Sequence, residues 1–321
     1  MTTFNTIIGA DPDKAASWLI DGKCVAVPTE TVYGLAANAL DPAAVVRIFE
    51  IKNRPAFDPL IVHVPNLEQA QRYAEEIPAP LRSLAEHFWP GPLTILVPKR
   101  SVVPDLVTSG LSRVALRAPA HPLTQALLHN LPFPLAAPSA NPFGYISPTT
   151  AQHVFDQLQG KIPYILDGGP CRVGVESTIV GFENGQTTVY RLGGLALEMI
   201  EAQIGPVQVQ LNQSSNPAAP GMLKSHYAPR KPMILLEKKT WPKDGRRIGL
   251  LALRERTDLP EHALQIALSE TGDLAEAAQN LFAALRTLDQ ADIDLIVAES
   301  LPEEGLGRAI NDRLRRAAAE E

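Results

Sequence analysis

Several stretches of the chain place charged or small polar side chains where a charged ligand could meet them. One is Lys52-Asn53-Arg54-Pro55. Two cations on a loop stiffened by proline would suit a polyphosphate, because both form charge-assisted hydrogen bonds to phosphate oxygens. At a helix C-terminus the same pair would also simply answer the negative end of the dipole. Asp58-Pro59 and His63 lie close by, and a lone histidine on an alternating strand is more often packed than liganded. A second stretch is Pro138-Ser139-Ala140-Asn141-Pro142-Phe143-Gly144. Its small polar groups and backbone amides could cradle phosphate oxygens, or could form a rigid turn. A third, Pro28-Thr29-Glu30-Thr31-Val32-Tyr33-Gly34-Leu35, follows a β-branched run and reads as leading into a helix. Its threonines could line a site at a strand end or cap an ordinary turn. Arg113 and Arg117 stand an even number of steps apart, so they share a strand face. An arginine in an apolar strand is costly unless paired. Arg117 therefore either holds a carboxylate of a ligand or closes an internal salt bridge. Asp167-Gly168-Gly169 and the run from Val175 through Glu176 and Ser177 form another glycine-rich turn into a strand, and Arg191 ends the next one. Finally, Ser225-His226-Tyr227-Ala228-Pro229-Arg230 sets a histidine and an aromatic in a polar stretch, as a lid or as an anchor.

Elements must hold these loops. Residues 24–27 read as a strand stopped by Pro28. Asp41-Pro42 opens a helix, with Asp as the cap and Pro at the first helical position. That helix ends by Asn53, since Arg54 precedes Pro55 and is pushed to extended backbone. Residues 60–64, 93–98, 113–117 and 135–137 read as strands, and 80–87 and 121–129 as helices. Ser147-Pro148 repeats the cap-plus-proline start, predicting a helix to about Gln159. Strands follow at 162–166, 178–182 and 188–192. Strands and helices interleave, which favours an α/β sheet over residues 1–204. Residues 205–232 are polar and rich in Ser, Pro and Asn, and read as an interdomain linker or lid. Residues 233–321 read strand, strand, helix from Asp273, strand and helix: a small Rossmann-like domain. It carries no G-x-G-x-x-G, so dinucleotide binding there is not supported.

Composition narrows the classes. A length of 321 residues suits two domains at ~150 residues each. Of 29 prolines, 26 fall in residues 1–232, which argues against a helical bundle there. Two cysteines, Cys24 and Cys171, make no disulfide framework and no zinc spacing. The first residues lack a signal-peptide pattern, and no apolar run approaches ~18 residues, so a cytoplasmic protein is expected, with no membrane partner. A net charge of −6 counts against a whole-surface nucleic-acid binder, while a local basic cleft stays open. P-loop, triad, kinase and metal signatures are missing.

Taken in order, PTETVYGLA, IKNRP, PLIVHV, VALRAPAH, APSANPFG, VESTIVGF, YRLG and HYAP make the sequence resemble the threonylcarbamoyl-AMP synthase family over about residues 7–320. The resemblance implies a YrdC-like twisted open sheet with a concave cavity, followed by the accessory domain of the long form. It implies that L-threonine, bicarbonate and ATP give threonylcarbamoyl-AMP and pyrophosphate. The product would feed a tRNA threonylcarbamoyl transferase that makes threonylcarbamoyladenosine. By resemblance Lys52 and Arg54 act on the phosphates as the catalytic cations, and Asp58, Arg113, Ser139, Asn141, Ser147, Arg191 and Tyr227 join them on the nucleotide side. Thr31, His63, Arg117 and Ser177 would hold threonine, with Arg117 on its carboxylate. Mg²⁺ is expected to arrive with ATP, with no metal site on the protein. Ala137 departs from members that offer a hydroxyl before Pro-Ser, which removes a side-chain contact there. An RNA-binding module, weak RNA binding beside the chemistry, and a carbamoyl-adenylate enzyme with another acceptor are the competing readings.

Overall fold

The computed structural model describes residues 3–211, 226–236, 241–242 and 244–319. The chain opens with β1 (Ile7–Gly9), α1 (Pro12–Ile20), β2 (Val25–Val27), β3 (Gly34–Asn38), α2 (Pro42–Lys52) and β4 (Ile61–His63). Next come α3 (Leu67–Ala70), α4 (Ala79–Phe88), β5 (Leu93–Pro98), α5 (Asp105–Thr108), β6 (Arg113–Arg117) and α6 (Pro122–Asn130). The first sheet is completed by β7 (Leu135–Ala136), α7 (Ala151–Leu158), β8 (Tyr164–Leu166), β9 (Thr178–Glu183), β10 (Gln186–Arg191), α8 (Leu197–Ile204) and β11 (Gln208–Val209). The remainder is β12 (Met233–Leu235), β13 (Ile248–Ala252), β14 (Leu264–Ala267), α9 (Leu274–Gln290), β15 (Leu295–Ala298) and α10 (Gly307–Ala317).

Eleven strands form one mixed sheet in the order β1-β8-β2-β3-β7-β4-β6-β5-β9-β10-β11. Its central strands are apolar because both faces are covered; Leu93–Val97 of β5 is buried throughout. The β9–β10 hairpin turns at Asn184-Gly185, both at positive φ, the combination a tight hairpin turn requires. α2 forms as its caps demand. Asp41 accepts from the Ala43 N–H at 2.9 Å, and Asn53 adopts the left-handed conformation at the other end. This turn releases Arg54 from the helix direction.

Three expectations need correction. The Pro28–Leu35 stretch does not lead into a helix; it runs straight into β3, which pairs antiparallel with β2. The helix expected from Ser147 starts at Ala151, because Thr150 caps the His153 N–H while the Ser147 hydroxyl is bonded elsewhere. Residues 205–232 are not linker throughout, since Gln208 and Val209 add an edge strand along β10. Ser225 lies outside the described residues.

The second sheet is fully parallel, in the order β12-β15-β13-β14. α9 buries an apolar stripe that includes Ala278, Leu281, Phe282 and Leu285. This core is shared: Val32, Ile146 and Val175 of the first sheet's loops belong to the same apolar cluster. Gly174 sits where a Cβ would fall 2.3 Å from the Ala278 carbonyl oxygen, so backbone meets α9 directly. Among the described residues no helix is long and apolar enough to cross a membrane.

Phe282 is fully buried in this shared core. Phe282→Ala should cost about 3–5 kcal/mol of stability. Chemical denaturation checks this; a loss below about 1 kcal/mol would show that the ring is not a central packing element.

Candidate functional site

A small cavity of about 60 Å³ opens among the loops of the first sheet, lined on one side by His226 and Tyr227, and Tyr227 packs in turn on α9 and α10. Each wall is set by a local device. In the β2–β3 loop, the Thr29 hydroxyl accepts from the Thr31 and Val32 N–H groups at 3.1 and 3.2 Å. That turn fixes Thr31 on the cavity wall. On the neighbouring parallel strands β4 and β6, His63 and Arg117 are register partners, so their side chains stand together. Arg117 is held by Glu30: its Nη2 donates to Glu30 Oε1 at 2.7 Å, and Glu30 Oε2 accepts from the Ala120 N–H at 2.9 Å. Arg54 is held by Asp58 in a 2.8 Å ion pair, and donates from Nε to the Asp58 carbonyl and from Nη2 to the Pro59 carbonyl.

The Pro138–Gly144 loop is braced from behind. Lys52, nearly fully buried, donates from Nζ to the carbonyls of Ser139 and Asn141. Asn141 Nδ2 donates to the Pro142 and Tyr145 carbonyls at 2.9 and 2.7 Å. Ser139 faces the cavity; Lys52 and Asn141 form its scaffold.

On the opposite wall, Arg191 donates from Nε to the Ser177 carbonyl and from Nη2 to Ser177 Oγ, both at 3.0 Å. Ser177 Oγ also shares a 2.7 Å hydrogen bond with Thr94. Gly193 permits this, because a Cβ there would fall 2.2 Å from the Glu176 carbonyl oxygen. Ser147 Oγ donates to Glu176 Oε1 at 2.6 Å, and Arg313 of α10 donates to Glu176 Oε2 at 2.9 Å. Over the top, Tyr227 stacks on Phe282 with centroids 5.6 Å apart, and the guanidiniums of Arg313 and Arg316 lie 5.1 and 4.9 Å from its ring.

Thr31, Arg54, His63, Arg117, Ser139, Ser177, Arg191 and Tyr227 therefore converge on one cavity. Five expected residues do not line the cavity: Lys52, Asn141 and Ser147 are spent on protein partners behind it, and Asp58 and Arg113 are committed elsewhere. Asp58 is fully buried and faces Arg54; a carboxylate there serves the cation rather than a phosphate. Arg113 shares its strand face with Arg117 but sits four residues away, roughly 13 Å at ~3.3 Å per residue. It pairs with Glu183 and Tyr190 instead. Sequence reasoning left Glu30, Glu176 and Arg313 without roles. The only local signal for them was a carboxylate beside a cavity threonine and a cavity serine.

Electrostatics follow from this packing. Burial lowers the pKa of Arg54 and of Lys52, and brings Arg191 down to about 10. For Glu176 burial works against ionisation, but Arg313 and Arg191 together with hydrogen bonds from Ser147 and Arg313 outweigh it, and its pKa falls. Burial pushes the thiols of Cys24 and Cys171 up to about 12, which leaves neither a nucleophile. Among the described residues no group of three His, Cys, Asp or Glu could hold a metal ion. The buried carboxylates Glu30, Asp58 and Glu176 are each committed to an arginine.

Fold and site define a class: a mixed-sheet α/β protein whose arginine-lined cavity is bordered by His226 and Tyr227, in the segment that leads into a small parallel-sheet domain. Comparison with known proteins identifies the family. A family model described as "Telomere recombination" (Sua5_yciO_yrdC) matches residues 17–193, and one described as "Threonylcarbamoyl-AMP synthase, C-terminal domain" matches 195–319. The threonylcarbamoyl-AMP synthase of Pyrococcus abyssi is 44% identical over 95% of this chain and 93% of its own length. That of Bacillus subtilis is 40% identical over 95% and 92%. The crystal structure of P. abyssi Sua5 complexed with L-threonine superposes with a TM-score of 0.89 at 41% identity, covering 99% of this chain and 98% of that one. The chain belongs to the threonylcarbamoyl-AMP synthase family.

The histidines set a pH dependence. Burial, then Arg117, pushes His63 down to about 3, and burial, then Arg286, pushes His153 down to about 4. Both stay neutral in the folded chain, while the unfolded chain protonates them below 6.5. The unfolded state then binds more protons, so stability falls as pH drops below 6.5. Glu176 adds to this at lower pH: its contribution is full above 4.5 and is lost as pH falls through its lower folded value. Denaturation midpoints measured from pH 8 to pH 4 should therefore decline; a flat profile would contradict the burial of these groups.

Proposed function

We propose that the chain converts L-threonine, bicarbonate and ATP into threonylcarbamoyl-AMP and pyrophosphate at this cavity. It is a nucleotidyltransferase-type enzyme. The observation that carries the assignment to this cavity is the convergence of Arg54, Arg117 and Arg191, each oriented by protein partners before any ligand arrives. Cations held in this way neutralise charge without reorganising during the reaction. Ser177 is bonded to Thr94 and Arg191 rather than to a base, which fits chemistry without a covalent serine intermediate.

The steps balance as follows. The threonine amine adds to bicarbonate and loses water, giving a carbamate. A carbamate oxygen attacks the α-phosphorus of ATP, and the bond to the β-phosphate oxygen breaks to release pyrophosphate. Arg117 takes the threonine carboxylate, with Thr31, His63 and Ser177 around the rest of the amino acid. His63 is neutral at physiological pH, so it offers a hydrogen bond rather than a charge. Arg54, Ser139 and Arg191 face the nucleotide, and Lys52 holds the Ser139 loop in place. Catalysis is positioning plus charge neutralisation. Mg²⁺ would come on the phosphates of ATP and neutralise part of their charge; the buried carboxylates of the protein are already committed to arginines. The product would pass to a tRNA threonylcarbamoyl transferase, in keeping with a cytoplasmic location.

A cavity of about 60 Å³ is far below the ~300–1,000 Å³ of ligand pockets. The His226–Tyr227 segment lines it, and its withdrawal would make room for both substrates. Tyr227 would then act as a lid, and its stacking on Phe282 is the packing an anchor would make.

Pyrophosphate release should require threonine and bicarbonate together. Release that ignored threonine would sink the assignment, and a panel of amino acids tests for another acceptor. Tight, salt-sensitive RNA binding without pyrophosphate would favour an RNA-binding module instead. Arg54→Ala should weaken ATP binding by about 1–3 kcal/mol, the value of a charge-assisted contact. Unchanged ATP affinity in that variant would remove Arg54 from the nucleotide side.

A further inference from the structure

We propose that Arg313, on α10 of the second domain, is a positioning residue for the reaction, and that it acts by taking up the charge of Glu176 that Arg191 would otherwise meet alone. The inference rests on the nucleotide role given above to Arg191.

Arg313 is fully buried, although it belongs to the helix of a different sheet. Its Nε reaches Glu176 at 2.9 Å and its Nη1 reaches Asp312 at 2.7 Å. Its Nη2 is buried without a hydrogen-bond partner among the described residues. Glu176 lines the cavity and spends its other oxygen on Ser147. The next residue, Ser177, is the one Arg191 grips through both its carbonyl and its hydroxyl. Glu176 therefore lies between two guanidiniums, one from each domain.

A buried ion pair is a poor adhesive, because desolvation cancels most of the attraction and apolar packing would serve as well. Its particular effect is directional. With Arg313 in place, both Glu176 oxygens are engaged. Without it, the buried carboxylate is left with one hydroxyl donor, and of the two arginines whose charges act on Glu176 only Arg191 remains. Arg191 would then turn from Ser177 towards Glu176 and be lost to the nucleotide. The second domain thus acts on the cavity wall through a single guanidinium.

The experiment compares Arg313→Met, Arg313→Lys, Glu176→Gln and the double variant Arg313→Met/Glu176→Gln in the full chain. Arg308→Ala serves as the control, because the Arg308–Glu198 ion pair joins α10 to α8 at a partly exposed position away from the cavity. ATP affinity is measured by titration calorimetry, and KM and kcat by pyrophosphate release. Arg313→Met should raise the ATP Kd and KM about tenfold or more, with Arg313→Lys partly restoring them. The double variant should recover most of the ATP affinity, since a neutral glutamine no longer captures Arg191. A merely structural strut would show instead as a lowered melting temperature with ATP affinity intact. The double variant also keeps the buried site neutral, so it stands in for Arg313→Met should the latter fail to fold. The proposal is overturned if Arg313→Met lowers the melting temperature while ATP affinity stays normal. It is equally overturned if the double variant binds ATP no better than Arg313→Met. Failure of the wild-type chain and the control to release pyrophosphate would count against the proposed function, while the calorimetric comparison would still decide the role of Arg313.

Discussion

A charge withdrawn from water has to be matched, and the floor of the cavity is organised by that requirement. Glu30, Asp58 and Glu176 are carboxylates at or near full burial, and each faces an arginine. The pairings aim the guanidiniums. Arg117 and Arg54 cannot swing freely, because turning either one would leave a buried carboxylate without its arginine. The donors are in position before substrate enters, which is what catalysis by charge neutralisation needs. A nucleophile is not required by this chemistry, and the two thiols are buried in protonated form.

Backbone stiffness works in the same direction. Pro28, Pro55, Pro138, Pro142 and Pro229 each border a loop that contributes to the cavity or its scaffold. Proline fixes φ and removes a donor, so these loops have fewer alternative shapes to abandon on folding. Lys52 adds a cross-brace by donating to two carbonyls of the Ser139–Asn141 turn. The proline-poor second domain supplies packing and one buried guanidinium instead of a loop-built site.

Much of this was legible from local pattern. β5 and β6 stand where apolar runs end at prolines, and α2 and α9 where Asp caps open them. The strand β3 was hidden because Gly34–Asn38 is buried almost throughout and shows no alternation. The helix start at Ser147 was misplaced because a cap signature says only that a hydroxyl can bond a backbone N–H. It cannot say that Glu176, 29 residues on, binds the hydroxyl first. The cavity loops could be recognised, since each motif is contiguous. The carboxylates that orient the arginines could not, because Glu30 lies 87 residues from Arg117 and Glu176 lies 137 from Arg313. No periodicity links such pairs; only the fold brings them together.

The apolar cluster that runs from Val32, Ile146 and Val175 into α9 has a consequence for how the chain can be cut. This one cluster is closed only by the two sheets together, while others lie within each sheet alone. A chain ending before β12 would present those three side chains, and the backbone of Gly174, to water at the mouth of the cavity. A released second domain would present the stretch of α9 at Ala278 and Gln279 that Gly174 now covers. Either fragment would carry a sticky face and tend to aggregate. Shedding the second domain therefore cannot be a clean deletion: the wall of the first would have to be rewritten in polar residues at the same time.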